Sequence, residues 1–490
     1  MTPLRMPDSL VLIAVALPFL CALLIPLFGK HPNQREAVTL VTAVALVAAV
    51  AGLLAPVLGG ARPEAGGFEI APGLALAFQV EPLGMLFALV ASSLWIVNSI
   101  YSIGYMRANN EPRQTSFYVY FAIALGSTIG VAFAKNLFTL FLFYEALTLS
   151  TYPLVAHKQN AEAMRSGRIY LLLLLGTSLV LFLPAIVATW VLAGTLDFTP
   201  GGVLGGKASG TVIGVLLALY VFGIGKAAVM PLHFWLPAAM VAPTPVSALL
   251  HAVAVVKAGV FAILKVAILI FGADALASTG QSGWLTIVAG TTVIAASVVA
   301  LRQNNLKRRL AYSTISQLSY VVLGVAILTP ISMIGAAIHI AAHALGKITL
   351  FFAAGSIHTA SHLTDVSQLD GIGRRMPWTM GAFAIGALSV IGIPPTAGFL
   401  GKWFILGGAM QTENWLAVAV IVVSTVLNAT YLLPIVFRAF FREPPKARTP
   451  EHGEAPWPIV LALTATAAGT VLLFLLPGTP LALSKLMLGR

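Results

Sequence analysis

"NLFTLFLFYEALTLSTYPLV", residues 136 to 155, is long and apolar enough to cross a bilayer, yet it carries one carboxylate, Glu145, near its centre. A charge there costs roughly 2.5 to 3.5 kcal/mol on insertion scales. Five lysines share the problem, because Lys226, Lys257, Lys265, Lys347 and Lys402 all fall inside apolar stretches. Facing lipid, these six charges would cost on the order of 15 kcal/mol, more than a typical fold has in total stability. They must face the bundle interior or hydrated cavities. Of 16 Asp and Glu, Glu145 alone lies deep; Glu81 and the rest sit in loops or at span edges.

Spacing sorts these groups into an ordered set. In "HIAAHALGK", His339, His343 and Lys347 recur every four residues and cover an arc of about 80° on a helix. "LLHAVAVVKAG" adds His251 and Lys257, about 120° apart on theirs. "LAYSTISQLSY" supplies Tyr312, Ser313, Thr314, Ser316, Gln317 and Tyr320. Such a run suits proton movement. Burial disfavours the charged form of a lysine and a nearby carboxylate restores it, so closing and opening a Glu145–Lys226 pair would let Lys226 take and give up a proton. Histidine, ordinarily near pKa 6.5, can carry the next step. Plainer readings exist for the same residues. A static ion pair would account for Glu145, and interior hydrogen bonds or a metal would account for His339 and His343. Lys265, near a helix end, is expected to snorkel to the interface.

The elements that must position these groups are membrane helices. The chain has 490 residues, 59% hydrophobic and 9% charged, far from a soluble composition. Apolar stretches give fourteen spans: 8–28, 36–58, 82–106, 115–134, 136–156, 168–194, 210–230, 243–271, 282–301, 310–329, 332–357, 379–408, 414–441 and 457–477. The first reads as a retained span rather than a signal peptide. The longest polar connection, 442–456, reads as a loop, so the expected fold is an all-α polytopic membrane protein of one domain, residues 1–490.

Alternate loops carry 17 of the 28 Lys and Arg, including "RQNNLKRR" at 302–309. That bias places the basic loops in the cytoplasm of a bacterial cell and both termini outside. Spans seven ("GIGKAAVMPLHFWLP") and twelve ("SVIGIPPTAGFLGKW") are interrupted by proline pairs beside Lys226 and Lys402. The breaks lie five spans apart, and an odd offset reverses direction across the bilayer. This predicts an inverted repeat, with helices 1–3 in 1–113, five-helix units at 114–271 and 280–441, and a last helix and tail at 457–490. Cys21 is the only cysteine, which excludes an internal disulfide and any cysteine-ligated cluster. No nucleotide, flavin or nicotinamide fingerprint is present. No cofactor or metal of the chain's own is expected, and no nucleic-acid partner.

The stretch "GIGKAAVMPLHFWLPAAMVAPTPVSALLHAVAVVKAGVF" (223–261) resembles the signature of the antiporter-like proton-translocating subunits of Mrp-type cation/proton antiporters, respiratory complex I and membrane-bound hydrogenases. "LKRRLAYSTISQLSYVVLG", "HIAAHALGKITLFFAAGSI" and "GIPPTAGFLGKW" resemble it too, over roughly residues 80–440. The resemblance implies that Glu145 is the essential span-five acid and Lys226 its span-seven partner. It further implies that Lys257 or His251, with His339, His343 and Lys347, form the central relay, and that Lys402 is the terminal titratable group. Lysine at 402 argues against the complex I subunit type that has glutamate there. The implied function is that of the proton/cation-translocating D-type subunit of a multi-subunit Mrp-type antiporter exchanging Na⁺ or another monovalent cation. The alternatives are a pump subunit of a redox complex or a membrane subunit of a CO₂ or bicarbonate uptake system. "MVAPTPVSALLHA" looks more like the larger members of the family than like a typical D-type subunit.

Overall fold

The computed structural model describes residues 6–444 and 453–489; most of the loop read at 442–456, and the extreme termini, lie outside the described residues. Twelve helices among the described residues are long and apolar enough to cross a bilayer. They are α1 (Met6–Phe28), α2 (Pro32–Leu58), α3 (Pro82–Ala108), α4 (Gln114–Ala132), α5 (Leu137–Val155), α6 (Ala161–Ala193), α8 (Thr244–Phe271), α9 (Gly283–Arg302), α10 (Leu306–Ile327), α11 (Pro330–Ser361), α14 (Trp415–Phe441) and α15 (Trp457–Leu475). Between them lie the shorter α7 (Gly210–Gly223), α12 (Pro377–Ile391) and α13 (Gly398–Gln411), and α16 (Gly478–Leu486) closes the chain.

Helix starts follow from side chains that satisfy the free N–H groups of a first turn. Asn136 accepts from Thr139 N at 2.7 Å, Asn160 from Ala163 N at 2.8 Å, and Thr329 and Ser332 cap α11 reciprocally. Two of the short helices end beside proline segments. α7 stops at Gly223 and the chain passes through a single tight turn, Gly225–Ala227, before prolines 231 and 237. α12 stops at Ile391 and helix resumes only at Gly398.

Backbone hydrogen bonds sort the connections onto two faces. On one, Gln79 N donates to Phe133 O, Phe198 N to Lys135 O and Val203 N to Ile270 O. That face also carries a β-hairpin, β1 (Glu64–Ala71) paired antiparallel with β2 (Leu74–Gln79). On the opposite, basic face, Leu306 N donates to Thr364 O and Arg438 pairs with Asp370 at 2.7 Å.

Burial ranks the helices from rim to centre. The apolar windows of α1, α2, α6, α14 and α15 are only 33–39% buried, whereas those of α10 and α11 are 94% and that of α8 is 100% buried. Helices apolar on every side are the ones a membrane protein wraps inside. The central three carry His251, Lys257, Lys265, His339, His343 and Lys347.

Candidate functional site

The site begins where the chain breaks after α7. Gly259 of α8 lets this break approach closely: a Cβ on it would stand 2.3 Å from Ala227 N and 2.4 Å from the Lys226 carbonyl carbon. Lys226 is fully buried there. Its Nζ donates to Tyr144 O at 2.9 Å and to the Thr148 hydroxyl, and lies 3.3 Å from the Tyr144 ring centre. All these partners are on α5. Glu145 lies in the same turn, close enough for the two charges to interact. Neither of its carboxylate oxygens, however, has a hydrogen-bond partner within the protein. The predicted Glu145–Lys226 pair is thus open. The amine is satisfied by neutral oxygens, and Tyr144 and Thr148, which sequence reading does not single out, hold it.

The centre of the site joins α8 to α11. Lys257 Nζ bonds His343 Nδ1. His343 stacks on His339 with ring centres 5.9 Å apart, one helical turn away. Both nitrogens of His339, and Nε2 of His343, lack partners. His251 packs on the Phe351 ring at 4.6 Å, also without a partner for either nitrogen, and lies in electrostatic reach of Lys347 and Lys257. Lys347 donates to Ser313 Oγ at 2.6 Å and to Leu310 O at 3.2 Å. Ser313 in turn accepts from Tyr431 OH at 2.9 Å, and Tyr431 OH reaches Asn428 Oδ1 at 2.6 Å. No group of three or more His, Cys, Asp or Glu among the described residues is arranged to hold a metal.

The site ends at the second break. Lys402 Nζ, on α13, donates to Val390 O and Ile391 O, each at 2.9 Å. These are last-turn carbonyls of α12, the orphaned negative end of a half-helix. Its Nζ also lies 4.7 Å from the Tyr320 ring centre. Lys226 and Lys402 are therefore held alike, each at a helix break beside a tyrosine of a neighbouring span.

A family profile described as "NADH:quinone oxidoreductase/Mrp antiporter, TM" matches residues 134–428, from just before α5 into α14. The chain belongs to that family. It is 33% identical over 384 residues to the N-type subunit of the NADH-quinone oxidoreductase of Desulforudis audaxviator, covering 76% of this chain and 75% of that one. It is 27% identical over 442 residues to the D-type subunit of the Na⁺/H⁺ antiporter of Alkalihalophilus pseudofirmus, covering 89% and 88%. A chain of the Mrp complex from a Dietzia species has the same fold, with TM-score 0.87 at 23% identity over 100% of this chain and 97% of that one. This is an antiporter-like membrane subunit, and the structures it resembles are multi-subunit membrane complexes.

A cavity of about 740 Å³ opens on the basic face, lined by Lys158, Arg165, Lys307, His358, Tyr105 and Thr244 among others. Another of about 550 Å³ opens on the hairpin face. Lys265 lines the second cavity and corrects the sequence reading, for it does not snorkel. It is fully buried, 3.2 Å from Glu81 Oε1, and donates to Ala134 O at 2.9 Å. Glu81 itself caps α3, accepting from Leu83 N at 2.8 Å and Gly84 N at 2.9 Å. The pair ties α3, α8 and the α4–α5 link together. Outside the spans, the Lys135 ammonium holds the Glu64 carboxyl of the hairpin below its usual range. Burial, with Arg113 nearby, holds the His157 imidazole below 6.5.

Proposed function

We propose that this chain is the proton-translocating subunit of a Mrp-type Na⁺/H⁺ antiporter assembly in a bacterial cell membrane. Protons move along Glu145, Lys226, Lys257 with His251, His343, His339 and Lys347, and leave or enter at Lys402. The observation that carries the reading is the bond between Lys257 and His343: a buried amine on one central helix meets a buried imidazole on the next, with further titratable groups in line on both sides. An uncompensated buried charge is expensive, so each group accepts a proton only as its neighbour yields one. Lys226 with its neutral oxygens, beside an unpartnered Glu145, is one state of such a switch; closing the pair is the other.

The inverted-repeat reading, with units at 114–271 and 280–441, is supported by the matched settings of Lys226 beside Tyr144 and Lys402 beside Tyr320. With the basic loops cytoplasmic, the larger cavity faces the cytoplasm and both termini lie outside. A second reading, a proton pump in a redox complex, is favoured by a different observation: the 33% identity to the quinone oxidoreductase chain exceeds the 27% to the antiporter chain.

The two readings separate on purification of the native complex, with its subunits identified by mass spectrometry and its flavin and iron assayed. Small hydrophobic partners without flavin or iron, and proton flux that depends on Na⁺, support the antiporter. Flavin or iron–sulfur subunits in the same complex overturn it in favour of the redox pump.

A further inference from the structure

The cavity of about 740 Å³ on the basic face has a charge balance that the buried relay does not explain. Its wall carries Lys158 between α5 and α6, Arg165 on α6, Lys307 and Arg308 in the first turn of α10, and His358 near the end of α11. One acid, Glu162, shares the wall. None of the ion pairs among the described residues involves any of these six side chains. Glu111, outside the wall, is in electrostatic reach of Lys158 and Lys307, yet four fixed positive charges still face only two acids. Lys307 is also in reach of Lys158, and His358 of both. Cations gathered in a concave wall repel one another and focus their field into the cavity.

The backbone adds to that field. Asn160, Thr244 and Asn305 line the cavity, and α6, α8 and α10 begin there. Helix N-termini carry partial positive charge and free N–H donors, which suits them to anions. Asn160 and Asn305 cap their own helices, at 2.8 Å and 3.1 Å, whereas α8 starts with no side-chain cap. Lys307 Nζ donates to Ala242 O at 2.6 Å, which anchors the amine beside that uncapped start. Across the wall, His358 Nδ1 is buried without a partner.

We propose that this cavity binds a phosphate group, carried by an anionic phospholipid or free in solution. Phosphate brings negative charge and several acceptor oxygens to one point, and a guanidinium binds it through two parallel hydrogen bonds. Basic pockets between membrane helices suit lipid headgroups. Here Ile169, Phe234 and Leu363 in the same wall supply an apolar rim against which acyl chains can lie. The site goes beyond the proposed proton function and does not depend on it.

The experiment measures binding to the intact, delipidated complex. Inorganic phosphate is followed by equilibrium dialysis, and phosphatidylglycerol by native mass spectrometry with zwitterionic phosphatidylcholine as control. Saturable binding of at least one probe is expected. Arg165→Gln should weaken it about ten-fold, the effect of one charge-assisted hydrogen bond, and adding Arg308→Gln should weaken it further. Both arginines are exposed, so assembly should survive; if the pair does not assemble, Arg165→Gln alone carries the comparison. Phosphate binding without preference for the anionic lipid assigns free phosphate. Phosphatidylglycerol retained over phosphatidylcholine, and not displaced by phosphate, assigns the lipid. No saturable binding of either probe overturns the proposal, as does binding that the variants leave unchanged.

Discussion

Replacing Lys265 by Met removes the ammonium, whose Nζ lies 4.5 Å from the Phe198 ring centre and 5.4 Å from that of Phe261. The amine sits 3.2 Å from Glu81 Oε1 and is fully buried. At an effective dielectric near 20, that separation corresponds to an attraction of about 5 kcal/mol before desolvation is set against it. Removing one partner of a buried pair typically costs about 3–5 kcal/mol, because the other charge is left behind. The Glu81 carboxylate keeps two backbone N–H donors, so Lys265→Met should fall toward the lower end, near 3 kcal/mol. Glu81→Gln should cost less, since Lys265 retains Ala134 O. In the double variant the two losses should overlap, with a coupling energy of about 2–3 kcal/mol. Chemical denaturation of the purified complex in mild detergent, carried through the full cycle, gives this number directly. Proton flux per assembled complex should be unaffected, because the pair staples helices and is not placed in the relay. Additive losses would refute the reasoning, as would a Lys265→Met protein as stable as the wild type.

Two further outcomes follow from the geometry. Gly259→Ala places a methyl 2.3 Å from Ala227 N where ordinary contact begins near 3.4 Å. The Lys226 segment must give by about 1 Å, and a misplacement of that size costs reacting groups about a hundred-fold in rate, read as proton flux in vesicles. His157, whose imidazole is held below its ordinary 6.5 by burial, contributes stability that is present above that value and lost as pH falls through its folded pKa. Thermal unfolding of the complex should therefore show a decline on acidification toward pH 5 that is smaller in His157→Gln.

Much of this arrangement is legible in the sequence, for identifiable reasons. A lysine or glutamate inside an apolar run announces an interior position, because lipid cannot accommodate it. The four-residue spacing of His339, His343 and Lys347 fixes a common face whatever the surrounding fold. Proline pairs beside Lys226 and Lys402 announce the interruptions. Partner identity is not legible. The partners of Lys226 are a backbone carbonyl and a threonine hydroxyl on α5, and a carbonyl leaves no mark in a sequence. Glu81 reads as an ordinary span-edge acid and Lys265 as a snorkelling base, since nothing local says that α3 and α8 lie side by side. The hairpin at 64–79 leaves one signal, the turn signature Pro72–Gly73, between strands whose β-forming residues are only Phe68, Ile70 and Phe78. That signal is weak beside the long helical patterns on either side of it. That both ring nitrogens of His251 lack partners becomes visible only when every buried donor and acceptor is accounted for.

At the first helix break, an unpartnered acid and a nearby buried amine are proposed to switch proton occupancy. The sharpest test is proton flux across vesicles reconstituted with the intact complex, wild type against Glu145→Gln, with assembly verified in both. Glutamine keeps the shape of the side chain and removes its charge. Flux should fall about a hundred-fold or more, the scale set by loss of a positioned proton-transfer group. Flux at the wild-type level from a correctly assembled Glu145→Gln complex would contradict the switch.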